Sequence, residues 1–504
     1  MARHLTTSRP RHWPVALLAA VATLACPCEA PAAAAVAAAQ VPAATQATVT
    51  IEEGLREVLD DALSANLELR AGAAAIEQRL AALDQARARY RPVLDVAARY
   101  SWADGGRTID FPVGDLLNPV YATLDELLVA SGQPPRFPRI ENQSITFLRG
   151  NEQETKLVLE QPLYEPRLGP AVAANQAEVD RATASLAALR ARVVRDTQQA
   201  YYLWIAARQA VLVLDATLEL ARSNLAANES LYRNGKVTRD LVYRAEADVL
   251  EVEQERLATA SRVRIAQSYV NLLRNAPLAQ PLPNAALDAE TIERFRARLL
   301  AVLAGRQADA PRLQDLASQR REELKSLDAA IAVGEARQEL ARAAFKPSLA
   351  FGAEAGIQGT EYGFADEDRY VLASLVLRFN AFRGGADQAA LREARALTEQ
   401  LRATRELAGQ RVRLEVQQAL ENFEVAEASL DTAAKRAEAA NGAFTITSRK
   451  RDLGQINQAE FIDARRAQTD AQLNVTRVRA EYLARLAELE FSIGDARRLE
   501  QEQM

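Results

Sequence analysis

The segment "YRNGKVTRDLVYRAEAD" at residues 232–248 recurs in altered form as "KRDLGQINQAEFIDARR" at 450–466. With Gly235 laid over Gly454 the offset is 454 − 235 = 219 residues, which puts Thr238 over Asn457 and Ala245 over Ala464. An internal duplication constrains the fold more than any local pattern, because both copies must satisfy one supersecondary plan. Each copy sets a glycine inside an otherwise helical stretch. Glycine supplies the backbone freedom that a tight helix reversal requires. The pattern therefore predicts two long helical hairpins, with tips near 232–238 and 451–457.

The helices entering those tips carry a seam with a seven-residue step. Leu186, Val193, Ala200, Ala207, Leu214 and Ala221 form it in the first copy, and Val412, Ala419, Ala426, Ala433 and Ala440 in the second. Steps of seven predict a left-handed supercoil, and the small residues permit close helix approach. A helix over 169–231 is on the order of 90 Å long, a rod rather than an element of a compact core. Composition agrees: Ala, Leu, Arg, Glu and Gln dominate and aromatics are only 6% of the 504 residues, which suits long packed helices.

Two stretches change the period from helical to two. In "PVLDVAARYSW", Leu94, Val96, Ala98, Tyr100 and Trp102 alternate with polar or small residues, and in "KPSLAFGAEAGIQ" Leu349, Phe351, Ala353, Ala355 and Ile357 do the same. Both read as strands with one apolar and one polar face. Return strands are expected near 154–164 and 369–381, with Leu157 over Leu375 and Tyr164 over Phe382. Each copy thus holds two strands of roughly ten residues. Asp95, Arg99, Glu354 and Gln358 fall on the polar faces.

Arg3, Arg9 and Arg11 precede an apolar run from Trp13 to Ala25 and an alanine-rich stretch, the layout of a secretory leader. "TLAC" at 23–26 partly resembles a lipid-accepting site at Cys26, with Thr23 as the departure. Removing residues 1–30 leaves 59 − 66 = −7 charges, from 62 − 3 basic and 67 − 1 acidic residues. Without any basic block this argues against nucleic acid as a partner. Both cysteines and both histidines lie in the leader. The processed chain therefore lacks thiolate or imidazole metal sites and histidine-dependent catalysis, and no cofactor is expected. The expected divisions are a leader (1–30), an alanine-rich linker (31–50), a first repeat (51–276), an inter-repeat segment (277–310), a second repeat (311–494) and a tail (495–504).

Rod-like helices, two strand pairs, an export leader and a duplication together resemble the TolC-like family of bacterial outer-membrane efflux channels, over roughly 51–494. The tip motifs are the most specific part, although Arg451 stands where the first copy has Tyr232 and the family an aromatic. The fold expected is mainly α with a membrane β-barrel, four strands and long coiled-coil helices per protomer. No apolar run beyond the leader approaches the ~20 residues of a spanning helix, and four strands cannot close a barrel, so several chains must contribute. The resemblance implies three, giving a twelve-stranded barrel and a periplasmic helical tube in the outer membrane, with outer-membrane lipid around it.

The resemblance further implies a passive exit duct for small molecules or polypeptides, partnered by a periplasmic adaptor (membrane fusion) protein and an inner-membrane transporter. Asp95, Arg99, Glu354 and Gln358 would line the barrel. Tyr232, Gly235, Thr238, Gly454 and Asn457 would form the adaptor-docking tips. Glu460 and Asp463, three apart on one helix face, match the family's paired carboxylates at the periplasmic entrance; the alternative is an acidic first turn complementing the helix dipole. The connection 103–153 departs from the family in length, and "DLLNPVYATLDELLVASGQPP" within it reads as a short apolar helix serving as lid, packing cap or plain insertion. A periplasmic coiled-coil adaptor without a pore is the competing reading, and a carboxylate-based hydrolase a third.

Overall fold

The computed structural model describes residues 49–147, 150–302 and 309–494; the expected leader, Cys26 and the tail lie outside them. The first repeat opens with helices α1 (Ile51–Ala65) and α2 (Leu67–Ala88). Thr50 and Glu53 form a reciprocal capping box at the start of α1, and Asn66 caps α2 by accepting from the Glu68 and Leu69 amides. Next come β1 (Val93–Trp102), β2 (Thr108–Phe111), α3 (Val113–Ala130), β3 (Gln143–Thr146) and β4 (Asn151–Tyr164). The long helices α4 (Leu168–Arg233) and α5 (Arg239–Leu273) complete it. After α6 (Ala289–Val302) the second repeat runs α7 (Ala310–Arg320), α8 (Glu322–Ala343), β5 (Ser348–Gly359), β6 (Arg369–Arg378), α9 (Ala386–Asp452) and α10 (Gln458–Ser492).

The duplication extends into the side-chain contacts. From the strands onward α4 has 66 residues and α9 67, and α5 and α10 have 35 each. Before the strands the offset is larger: 347 − 92 = 255 for the prolines that precede β1 and β5. The difference, 255 − 219 = 36 residues, is absorbed by the long β1–β4 connection. At the kinks between paired helices, Asn66 donates to the Leu273 carbonyl (2.8 Å) and Arg321 to the Ser492 carbonyl (3.3 Å). Here 321 − 66 = 255 and 492 − 273 = 219, so different residues make the same contact in each repeat. Even the backbone after the return helices repeats: Asn275 has φ 52° and Gly494 φ 76°.

Four strands form one antiparallel sheet in the order β1-β4-β5-β6, while β2 and β3 pair as a separate ribbon. Six strands are thus present among the described residues rather than the four expected, because the insertion builds a ribbon and a helix of its own. The expected correspondence of Tyr164 with Phe382 also stops short. β4 runs to Tyr164, but β6 ends at Arg378 opposite Ser348, where β5 begins just after Pro347. Residues 379–382 therefore have no ladder to join.

The core lies where the helices of both repeats meet between the sheet and the tips. Ile51, Val58, Tyr201, Ile205, Val270, Leu324, Val416, Tyr482 and Leu483 are all buried there, each apolar side chain contributing about 1.5–3 kcal/mol. The Tyr201 hydroxyl donates to the Pro283 carbonyl (3.0 Å), tying the inter-repeat segment to α4. Burial pushes the Tyr482 hydroxyl up to about 12. Along the rods the expected seam is inside: Val193, Ala200, Leu214, Ala221, Val412, Ala419, Ala426 and Ala433 are buried, with Leu186, Ala207 and Ala440 half-buried.

Candidate functional site

Residues opposite one another in an antiparallel ladder share a face, so the pairing assigns each side of the sheet. Asp95 pairs with Val158, which pairs with Glu354; Arg99 pairs with Glu154, which pairs with Gln358. Asp95, Arg99, Glu354 and Gln358 therefore lie on one face. Glu154, Lys156 and Tyr370 join them there and connect all four strands. Arg99 lies 3.3 Å from Glu154, Lys156 lies 3.4 Å from Glu154 and 2.9 Å from Glu354, and the Tyr370 hydroxyl donates to Glu154 (3.1 Å). Val93, Val158, Leu372 and Val376 interrupt this surface with apolar side chains. The other face carries Leu94, Val96, Tyr100, Trp102, Leu157, Val371, Leu375 and Leu377, all exposed, Val371 to 82% and Val96 to 75%. Such a patch on an isolated protomer marks a surface made for something other than water.

Both tips close with the same pair of backbone bonds. The Gly235 amide donates to Tyr232 and the Lys236 amide to Leu231; the Gly454 amide donates to Arg451 and the Gln455 amide to Lys450, all at 2.8–2.9 Å. This is the Schellman arrangement, with the glycines at φ 67° and 72° in the left-handed region that penalises any Cβ. Thr238 and Asn457 are the first residues of the returns; Thr238 bonds Asp240, and Asn457 accepts from the Glu460 amide (2.9 Å). The departure at Arg451 has a physical explanation. Its guanidinium lies 4.0 Å from the ring centre of the fully buried Phe461, which also meets Phe444. Subtracting 219, these positions are Tyr232 and Val242 in the first repeat, so the aromatic has changed sides of the hairpin.

Glu460 and Asp463 are both exposed on the first turns of α10. Glu460 also accepts from the Asn457 side-chain amide (2.9 Å), completing a reciprocal cap. This gives the helix-start reading a concrete basis for Glu460. Among the described residues Asp463 takes part in no such bond; it stands on the same face one turn on.

Five residues beyond Glu460 lies a feature that periodicity does not reveal. Arg465 on α10 lies 2.7 Å from Asp248 on α5, both side chains only 2% exposed. Arg466 flanks it, 3.7 Å from Asp248 and bonded to Glu251. Arg451 reaches Asn224 (3.4 Å) and Thr217 meets Thr469 (3.1 Å). These polar links fasten the second hairpin to the first just above the tips. The available signal was a single opposite charge inside each apolar stripe, Asp248 among Ala245, Val249 and Val252, and Arg465 beside Phe461 and Ile462.

Among the described residues no helix is long and apolar enough to cross a membrane, and no group of His, Cys, Asp or Glu could hold a metal ion. Residues 313–495 match the family model described as outer membrane efflux protein. No curated protein matches the sequence. Solved structures share the fold at low identity. The CmeC outer membrane channel of Campylobacter jejuni has a TM-score of 0.70 at 15% identity, covering 88% of this chain and 86% of its own. VceC, an outer membrane protein of Vibrio cholerae, has 0.67 at 15%, covering 88% and 96%. The open state of the MtrE outer membrane channel of Neisseria gonorrhoeae has 0.67 at 17%, covering 88% and 89%.

Proposed function

We infer from the match of residues 313–495 to the outer membrane efflux protein model, taken with the shared fold, that this chain is an efflux channel protein of the outer membrane, extending into the periplasm. We propose that three copies assemble into one channel. β1 and β6 are the edges of the sheet and leave a row of backbone donors and acceptors to be paired. Two copies would supply 2 × 4 = 8 strands, whose interior side chains fill; three copies, the number that the resemblance to TolC-like channels implies, supply 3 × 4 = 12. The networked face with Asp95, Arg99, Glu154, Lys156, Glu354 and Gln358 lines that bore, and the exposed apolar face meets lipid. The helices continue it as a periplasmic tube, which makes no chemical bonds and serves an adaptor and an inner-membrane transporter.

The observation that carries the assembly is an apolar seam without a partner in its own chain. Tyr243, Leu250 and Leu257 step by seven along α5 and are 54–61% exposed. Their equivalents in α10, Ile462, Thr469 and Thr476, are buried, and α10 packs on α4. The repeat then asks α5 to pack on the equivalent of α4, which is α9 of a neighbouring copy. Within the chain Arg195 lies 3.6 Å from Glu488; adding 219 to 195 and subtracting it from 488 gives Leu414 and Tyr269, both exposed. Because Arg and Glu reach across more than a disulfide spans, Tyr269→Cys combined with Leu414→Cys is expected to yield crosslinked dimers and trimers on a denaturing gel after treatment with a bismaleimide, and neither single variant a ladder. A double variant that stays monomeric on the gel after bismaleimide treatment rejects this interface.

In the trimer Glu460 and Asp463 form two acidic rings at the entrance. The tips around Tyr232, Gly235, Thr238, Gly454 and Asn457 dock the adaptor's helical hairpins. Six carboxylates held close favour cations over anions in the bore. Glu460→Gln with Asp463→Asn should reduce cation preference in bilayer recordings by several-fold; unchanged selectivity and unchanged block by divalent cations would remove the pair from the entrance. A periplasmic coiled coil without a pore is disfavoured, because it has no use for the two-faced sheet.

A further inference from the structure

The insertion between β1 and β4 is a built unit. The α3 start is held by Asn142, whose carbonyl oxygen accepts from the Gly114 (3.0 Å) and Asp115 (3.1 Å) amides. Asn118 exchanges two 2.8 Å bonds with the backbone of Ile140, Asp125 accepts from the Arg136 (2.8 Å) and Phe137 (3.3 Å) amides, and Tyr121 packs on Phe137 at 5.0 Å between ring centres. The strap 136–142 thus occupies one side of α3. On the opposite side Leu116, Val120, Leu124 and Leu127 form a helical stripe, exposed to 69, 53, 39 and 63%. Apolar residues presented in this way by a hydrogen-bonded unit call for a partner.

Position limits what that partner is. β4 leads from its Tyr164 end into α4, so the insertion, rooted where the Ala103 amide bonds the Gly150 carbonyl, sits at the end of the sheet away from the helices. With the helices in the periplasm, that end is the outer mouth. The insertion also follows β1, an edge strand, which places it beside the junction with the next copy. Charge excludes the headgroup layer as the natural resting place. Helices that lie on membranes carry Lys and Arg on their polar face, whereas α3 has Asp115, Asp125 and Glu126 and no basic residue. Length favours the axis. The 18 residues of α3 span about 27 Å, and a twelve-stranded barrel with ~4.8 Å between strands tilted about 40° has a radius of roughly 12 Å.

We propose that the α3 stripes of three copies pack against one another over the outer mouth and form a lid, an inference that rests on the trimeric channel proposed above. Val120→Cys and Leu127→Cys, each alone, should crosslink between copies in intact cells with a short bismaleimide. Thr123→Cys, on an exposed position of the same helix, should crosslink likewise, and replacing Leu116, Val120, Leu124 and Leu127 by Ser should abolish that crosslink. The same replacement should raise, by at least tenfold, labelling of Ser101→Cys, on the polar sheet face, by a bulky impermeant maleimide added outside. The Tyr269→Cys/Leu414→Cys ladder reports the trimer separately. A normal ladder with no α3 crosslink and unchanged Ser101→Cys labelling overturns the lid alone. Leu127→Cys bearing a lipid-phase probe that reports hydrocarbon also overturns it, in favour of the membrane surface. Loss of the ladder as well as the crosslinks overturns the lid together with the trimer beneath it.

Discussion

Asp248→Ala is expected to open the periplasmic end and to loosen the fold at once. The substitution leaves the Arg465 guanidinium 2% exposed with its 2.7 Å partner gone, and Arg465 Nε already lacks a bond among the described residues. Stranding one member of a buried ion pair costs about 3–5 kcal/mol, and a trimer incurs that cost three times. The pair joins α5 of the first repeat to α10 of the second, so its loss frees the hairpin that carries Glu460 and Asp463. Single-channel conductance should rise several-fold and thermal stability fall. Asp248→Asn, which keeps the shape and an acceptor, should do less of both, and Asp248→Arg with Arg465→Asp should restore much of the wild-type behaviour. A lower melting temperature with unchanged conductance would reduce the pair to a purely structural role.

The second large effect separates neighbouring residues of β6. Ser374 pairs with Gly352 on the charged face, and Leu375 pairs with Phe351 on the apolar one. Arginine at mid-depth on a lipid-facing position costs about 2–4 kcal/mol, against little on the lumen side. Leu375→Arg should therefore abolish recovery of the protein from outer membranes. Ser374→Arg should assemble at near wild-type levels and shift the bore's selectivity toward anions. Equal recovery of the two variants would mean that the faces have been assigned wrongly.

Which parts were legible follows from the range over which each signal acts. Gly235 and Gly454, the seam from Val193 to Ala433 and the alternation in β1 and β5 are local periodicities, and each sits where its period puts it. The common face of Asp95, Arg99, Glu354 and Gln358 was legible for the same reason, since strand parity survives any register that the turns allow. Glu154, Lys156 and Tyr370 escaped because an ion network depends on which strands are neighbours, not on parity alone. Asp248 and Arg465 escaped more completely: they are 217 residues apart in sequence and meet only because the two repeats pack side by side. The end of β6 was overestimated because Phe379 and Phe382 have strand-like chemistry, while the ladder partner that would hold them is missing.

In the proposed trimer one chain owns only a third of the barrel wall and cannot enclose water by itself. Native mass spectrometry of the detergent-extracted, unheated protein counts the chains in a particle directly. Three chains per particle are predicted, surviving at low protein concentration; a stable one- or two-chain particle would contradict the account.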